Sequence, residues 1–282
     1  MRAIAACALA LLLGAVPEAG AQTRAEAPRD GTVAVRATDG TVRVVGWGRG
    51  EVSATSAPDD RDGRVRVVRE RGATAVRARG QGRVVVHVPA GSRVVVKTRS
   101  GDILVEGVTG ALDLESTSGD FRVVGTPRMV SVEGLSGDVV VDGSTETLRV
   151  RTVSGNVRVP RARGFVEASS VSGDVQVTGQ GLRRATLRST SGRALFAGSL
   201  PRDGSLHLES TSGIVELRVP AGIAAYFDLS SLGGGQIESA LGPRPTRQES
   251  SPGVSTLRFS SGSGGAQITA RTVTGIILLK KQ

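Results

Sequence analysis

One cysteine, one tryptophan, one tyrosine and a single asparagine among 282 residues exclude several kinds of chemistry. The cysteine, Cys7, falls in an amino-terminal apolar run, so the remaining chain has no thiol and no disulfide to form. With only His87 and His207 and no HExxH spacing, neither a zinc site nor a serine nucleophile with a nearby base can be assembled from the motifs. Scarce aromatics leave little for stacking sugars or bases, with Trp47 and Tyr226 the only polar-tipped rings. The 39 glycines follow no three-residue period, which excludes a collagen helix and implies many turns. Beyond the amino terminus no run approaches the roughly 18 apolar residues of a membrane span.

The first 21 residues read as an export signal. Arg2 supplies a positive start, Ile4 to Val16 an apolar run, and Ala19-Gly20-Ala21 a small-residue cleavage site. Cys7 is not preceded by a lipid box, so no lipid anchor is expected. Arg2 and Glu18 would leave together, and the net charge stays at +10. That balance favours acidic partners; export turns the expectation toward an anionic polysaccharide or an envelope protein and away from nucleic acid.

What the chain has in abundance is self-similarity. Ser-Gly pairs begin at Ser100, Ser118, Ser136, Ser154, Ser172, Ser191 and Ser212, with spacings of 18, 18, 18, 18, 19 and 21 residues. Counted from each serine, positions −6, −4, +3 and +5 are apolar, as in Val130, Val132, Val139 and Val141 around Ser136. Asp39-Gly40 and Thr274-Gly275 fit the same frame. Apolar and polar residues alternate within each half-unit, the mark of a half-buried strand. A unit this small cannot bury its own apolar side chains and must stack on its neighbours. The expected fold is all-β: a single-stranded β-solenoid (β-helix) of roughly 18-residue circuits with an amino-terminal β cap, each circuit rising about 4.8 Å. An antiparallel array of hairpins is the rival, but it has no need of constant spacing.

The expected organisation places a signal at residues 1–21, a disordered lead at 22–30 and one β domain over 31–282. Within it, 31–99 hold the cap and first circuits, 100–240 the regular repeats, 242–256 a loop, and 257–282 the closing strands.

Columns of equivalent residues suggest what the faces do. Asp102, Asp120, Asp138, Asn156 and Asp174 follow the Ser-Gly pairs; they read as a calcium ladder or as turn chemistry, and uncharged Asn156 favours the turn. Hydroxyls two residues before most of these serines, such as Ser170 and Ser189, are expected to satisfy backbone groups at the corner. The irregular column beside them does not suit an ice-binding face. The −3 column predicts cross-strand pairs Lys97–Glu115, Glu133–Arg151 and Arg188–Glu209. The +4 column, Leu104, Arg122, Val140, Arg158, Gln176 and Leu195, mixes aliphatic and basic side chains and is the candidate binding face. No catalytic, cofactor or metal residue is expected.

The units TRSGDILVEG, STSGDFRVVG, GLSGDVVVDG, TVSGNVRV and SVSGDVQVTG, with VPAGSRVVVKTRSGDI before them and ARTVTGIILLKK at the close, resemble a bacterial β-strand-repeat family of unknown function. It is labelled "putative adhesin" and related to toastrack domains. The resemblance covers roughly residues 30–282. It implies a β-repeat fold and attachment to a surface, and it brings no catalytic residues. The expected function is a secreted, non-enzymatic adhesin-type repeat protein that binds an envelope or extracellular component through one solenoid face. The alternative is a periplasmic structural or envelope-sensing module that self-associates laterally; a polysaccharide-active β-helix enzyme fits less well.

Overall fold

A computed structural model describes residues 22–56, 64–70, 72–244, 246–247 and 253–282. The expected signal at 1–21 lies outside them, as do residues 245 and 248–252 of the expected loop. Among the described residues every element is a strand, and the strands form two long sheets of 13 and 14 members. Parallel pairing dominates, and the fold is solenoid-like.

The chain alternates between the sheets. In the 14-stranded sheet Leu112 pairs with Val130, Val130 with Leu148, and Leu148 with Val166. In the other, Phe121 pairs with Val139 and Val139 with Val157. The inward rows fill the space between the sheets, and Val132, Val150 and Ala168 are completely buried. Period-2 alternation thus becomes one shared apolar interior, because only one face of each sheet is covered.

The glycine at each corner has a steric reason. Gly137 adopts φ 117°, and a Cβ there would stand 2.1 Å from the Gly119 carbonyl oxygen one circuit away. Side chains are excluded by the stacking itself.

At both ends the order of circuits departs from chain order. Thr32–Arg36 lies between Arg93–Ser100 and Ala73–Arg79, pairing in parallel with both. At the other end Ala266–Thr272 lies between Ser205–Ser210 and Ala225–Ser231. The first and last framed repeats are therefore interior rungs, and the expectation that each circuit rests on its neighbour in sequence fails there. The physical gain is burial. Val33, Val35, Val42 and Val44 are fully covered, as are Ala270 and Ile277, which an end position would leave half open to water.

Antiparallel strands lie outermost at the amino-terminal end. Glu51–Ser56 pairs with Val84–Pro89, Arg64–Glu70 with Ala73–Arg79, and Gln22–Glu26 with Glu51–Ser56. The expected disordered lead at 22–30 is thus corrected in its first part, which the edge of a sheet captures by backbone bonding. Parts of the expected loop over 242–256 are likewise strand: Thr246–Arg247 and the start of Ser255–Ser261 pair antiparallel.

Candidate binding face and its notch

The six residues of the candidate face form one continuous row. Leu104 pairs with Arg122, Arg122 with Val140, Val140 with Arg158, Arg158 with Gln176, and Gln176 with Leu195. Their neighbours in the strands, Phe121 and Val123 or Val157 and Val159, point inward and are buried, so the row faces out from the 13-stranded sheet. Arg122, Arg158 and Gln176 are exposed, while Leu104 and Val140 are half-buried.

Leu195 is a correction. It is only 5% exposed and offers no contact surface. Its cross-strand partner is Glu216, and the Arg193–Glu216 ion pair (3.8 Å) bridges the two rungs alongside it.

Glu216 is the most enclosed charge on this face, with a side chain 3% exposed. Arg218 Nη2 lies 2.8 Å and Lys280 Nζ 3.0 Å from its Oε1. Burial pushes its carboxyl upward, but the hydrogen bonds from Lys280 and Arg218 outweigh this and hold it below the usual carboxylate range. The cluster ties the interposed last rung to its neighbour.

Beside the row the sheet is broken open. Pairing between Val139–Gly143 and Val157–Ala162 stops after Val140 and Arg158. Pro160 has no N–H to continue the ladder. Against the next strand the register shifts between Val159 and Ala162, a β-bulge. The bulge turns Arg161 back onto the previous rung, where its Nη2 and Nε stand 2.6 Å and 2.9 Å from Asp142 Oδ1. A notch of about 590 Å³ results, lined by Val124, Asp142, Pro160, Arg161, Arg163 and Thr178 among others. A second hollow of about 470 Å³ adjoins it at Arg128, Ser144 and Arg163. The alternation of apolar and polar residues does not by itself reveal the notch. A proline closing the run VRVP, where its sister units continue as strand, was the available signal.

The other columns resolve into structural roles. Asp120 N–H donates to Asp102 Oδ1 (2.9 Å), Asp138 N–H to Asp120 Oδ1 (2.8 Å), and Arg193 N–H to Asp174 Oδ1 (2.8 Å). The carboxylates tie each corner to the next. Ser170 donates to the Gly155 carbonyl and accepts from Gly173 N–H, both at 2.9 Å, and Ser189 repeats this with Gly173 and Gly192. These two hydroxyls are fully engaged with backbone, whereas the buried Thr152 Oγ1 of the same column has no hydrogen-bond partner.

Of the three expected cross-strand pairs, Lys97–Glu115 and Arg188–Glu209 form. Glu133 and Arg151 are register partners, but Arg151 turns instead to Glu167, which Arg149 also holds. A carboxylate shared by two arginines outcompetes a single exposed pair.

The histidines stand apart. His87 stacks on Trp47 with centroids 4.9 Å apart. Its pKa is lowered by burial and by the nearby charges of Arg43 and Arg49. His207 lies 3.5 Å from Glu209. Among the described residues no three His, Cys, Asp or Glu side chains gather as metal ligands, and no helix is long and apolar enough to cross a membrane.

Comparison with known proteins places this architecture. No curated protein matches the chain. Among solved structures, a "putative adhesin" from Bacteroides fragilis NCTC 9343 is similar at 12% identity and a TM-score of 0.48, covering 92% of this chain and 95% of that one. A "putative adhesin" from Parabacteroides distasonis ATCC 8503 follows at 10% identity and a TM-score of 0.44, covering 92% and 96%. A "putative lipid binding protein" from the same strain is similar at 8% identity and a TM-score of 0.43, again covering 92% and 96%. Residues 32–198 match the family described as Toastrack DUF4097. With more than half its length inside that match, from the first framed strand to Gly198 in the strand Ala194–Ser199, this chain belongs to the Toastrack DUF4097 family.

Proposed function

We propose that this chain is a secreted, non-enzymatic repeat protein that binds an anionic envelope or extracellular component through the outer face of the 13-stranded sheet. The observation that carries the reading is the pair Arg122 and Arg158. They flank Val140 two rungs apart, about 9.5 Å at the usual strand spacing, and neither has an ion-pair partner among the described residues. Unpaired guanidinium groups separated by half-buried aliphatic side chains suit a polymer with repeated carboxylates or sulfates. The notch at Pro160 supplies relief on an otherwise regular wall. Leu104, Arg122, Val140, Arg158 and Gln176 form the face, and Leu195 is excluded from it by burial.

The same reading takes residues 1–21 as an export signal and 31–282 as one domain, with circuits of roughly eighteen residues under an amino-terminal cap. Its non-enzymatic character is supported by the corner hydroxyls of Ser170 and Ser189, which are spent on backbone bonds.

The test is adherence of purified protein to immobilised anionic polysaccharide. Arg122→Glu with Arg158→Glu weakens it about tenfold or more by converting attraction into repulsion, while circular dichroism stays unchanged. Unchanged adherence of the folded double variant removes this face from consideration. A hydrolase or lyase activity that depends on a residue of the wall overturns the non-enzymatic reading.

A further inference from the structure

Each circuit crosses between the sheets twice, so the Ser-Gly corners and the mid-circuit corners occupy opposite long edges of the body. The two edges differ in charge. Along the Ser-Gly edge stand Asp102, Asp120, Asp138 and Asp174, exposed and without ion-pair partners among the described residues. Their Oδ1 atoms accept backbone N–H groups, which leaves the negative charge in place. Asp39 stands on the same edge, and Arg83, Arg99 and Arg193 are the opposing charges there. Along the other edge stand Arg29, Arg128, Arg163, Arg183 and Arg202, also exposed and without ion-pair partners among the described residues, with Asp30, Glu146 and Asp203 as the opposing charges.

An eight-residue strand such as Met129–Ser136 separates the two edges by about 25 Å. That exceeds the screening length of about 8 Å at physiological salt, so the acidic and basic edges cannot neutralise each other within one molecule. Both edges also expose apolar side chains. Leu135, Val153 and Val171 are 55%, 40% and 48% exposed at the acidic margin. Met129 and Phe165, at 48% and 45%, occupy the basic margin of the same sheet.

We propose that copies of this chain associate side by side with parallel axes, the acidic edge of one against the basic edge of the next. Both edges are built on the same rungs, so a contact made at one rung recurs at the next without change of register. The acidic aspartates then face Arg128, Arg163 and Arg183, and the aliphatic stripe meets Met129 and Phe165. Because the two surfaces differ, the contact is heterologous and builds open rows rather than closed dimers. This association uses the edges and leaves the row Leu104, Arg122, Val140, Arg158 and Gln176 free, sharing only Arg163 at the rim of the notch, so it does not depend on the proposed ligand.

Light scattering and sedimentation test it. Wild-type mass rises with concentration at low ionic strength and returns to the monomer value in about 1 M salt, where screening shortens to about 3 Å. Asp120→Arg with Asp138→Arg makes both edges basic; Arg193 shows that the column has room for an arginine, and because the variant gives up two ladder acceptors its fold is checked by circular dichroism. Arg128→Glu with Arg163→Glu makes both edges acidic. Each variant alone is monomeric, and an equimolar mixture recovers the wild-type mass. Should the first variant fail to fold, Leu135→Lys with Val153→Lys on the same margin abolishes association without touching the aspartate ladder. Arg122→Glu with Arg158→Glu leaves association intact, which separates this contact from the ligand face. A monomeric wild type at low salt, or a mixture that stays monomeric, overturns the proposal. So does a monomeric wild type that binds heparin through Arg128, Arg163 and Arg183, an outcome that assigns the basic edge to an anionic polymer.

Discussion

Asp138 Oδ1 accepts two hydrogen bonds from Asn156, one from the backbone N–H at 2.9 Å and one from the side-chain amide at 3.0 Å. Asn156 Oδ1 in turn accepts Asp174 N–H at 3.0 Å. Acceptor oxygen, not charge, is what the ladder requires, and this is why an asparagine can interrupt a run of aspartates. Asp138→Ala is expected to cost about 1–2 kcal/mol, while Asp138→Asn, which keeps the acceptor, costs less than about 0.5 kcal/mol. Urea denaturation followed by circular dichroism checks the difference; equal losses would contradict the ladder.

The corner glycines make a sharper contrast. Gly137→Ala drives a methyl into the Gly119 carbonyl at a left-handed φ of 117°, and a loss of at least about 3 kcal/mol follows. Gly181 has φ 66° but open space around it, so Gly181→Ala pays only the backbone strain, about 1 kcal/mol. Thermal midpoints of the two variants measure whether circuit contact or φ alone selects the glycines.

Glu216 sets an acid limit for the last rungs. Its folded-state carboxyl lies below the unfolded value, so its contribution is full above the unfolded pKa of about 4.3 and is lost as pH falls through the lower folded value. Glu216→Gln removes this dependence and costs about 1–3 kcal/mol at neutral pH, since Arg218 and Lys280 are half-exposed and partly rehydrate. Stability measured between pH 3 and 7 should converge for the two proteins at the acid end; parallel curves would refute the linkage.

Interior and wall valines separate the covered face of one sheet from the open face of the other. Val150, completely buried, loses about 2–3 kcal/mol on truncation to alanine, whereas half-buried Val140→Ala stays within about 0.5 kcal/mol. Equal effects would mean that the alternation does not divide interior from surface.

Much of this architecture was legible in advance. Alternation placed Val132, Val150 and Ala168 inward, and the hydroxyl column was assigned its backbone partners from the corner chemistry alone. The candidate face was legible as a row but not in its detail. Leu195 follows the outward phase of its strand and is buried nonetheless, beside the Arg193–Glu216 pair that spans its own rung and the next, which alternation does not register. Glu133 and Arg151 are correct register partners, yet side-chain competition from Glu167 decides the pairing.

The sequence by itself determined that strands form, which residues they turn inward, and where each corner needs a glycine, because these follow from local sterics and a short repeat. Tertiary structure alone decided which rungs become neighbours. The first and last framed repeats match any rung equally well, and burying both of their faces moved them inside the stack. The Pro160 bulge opened its notch for a similar reason: a missing N–H has consequences only when another strand lies beside it.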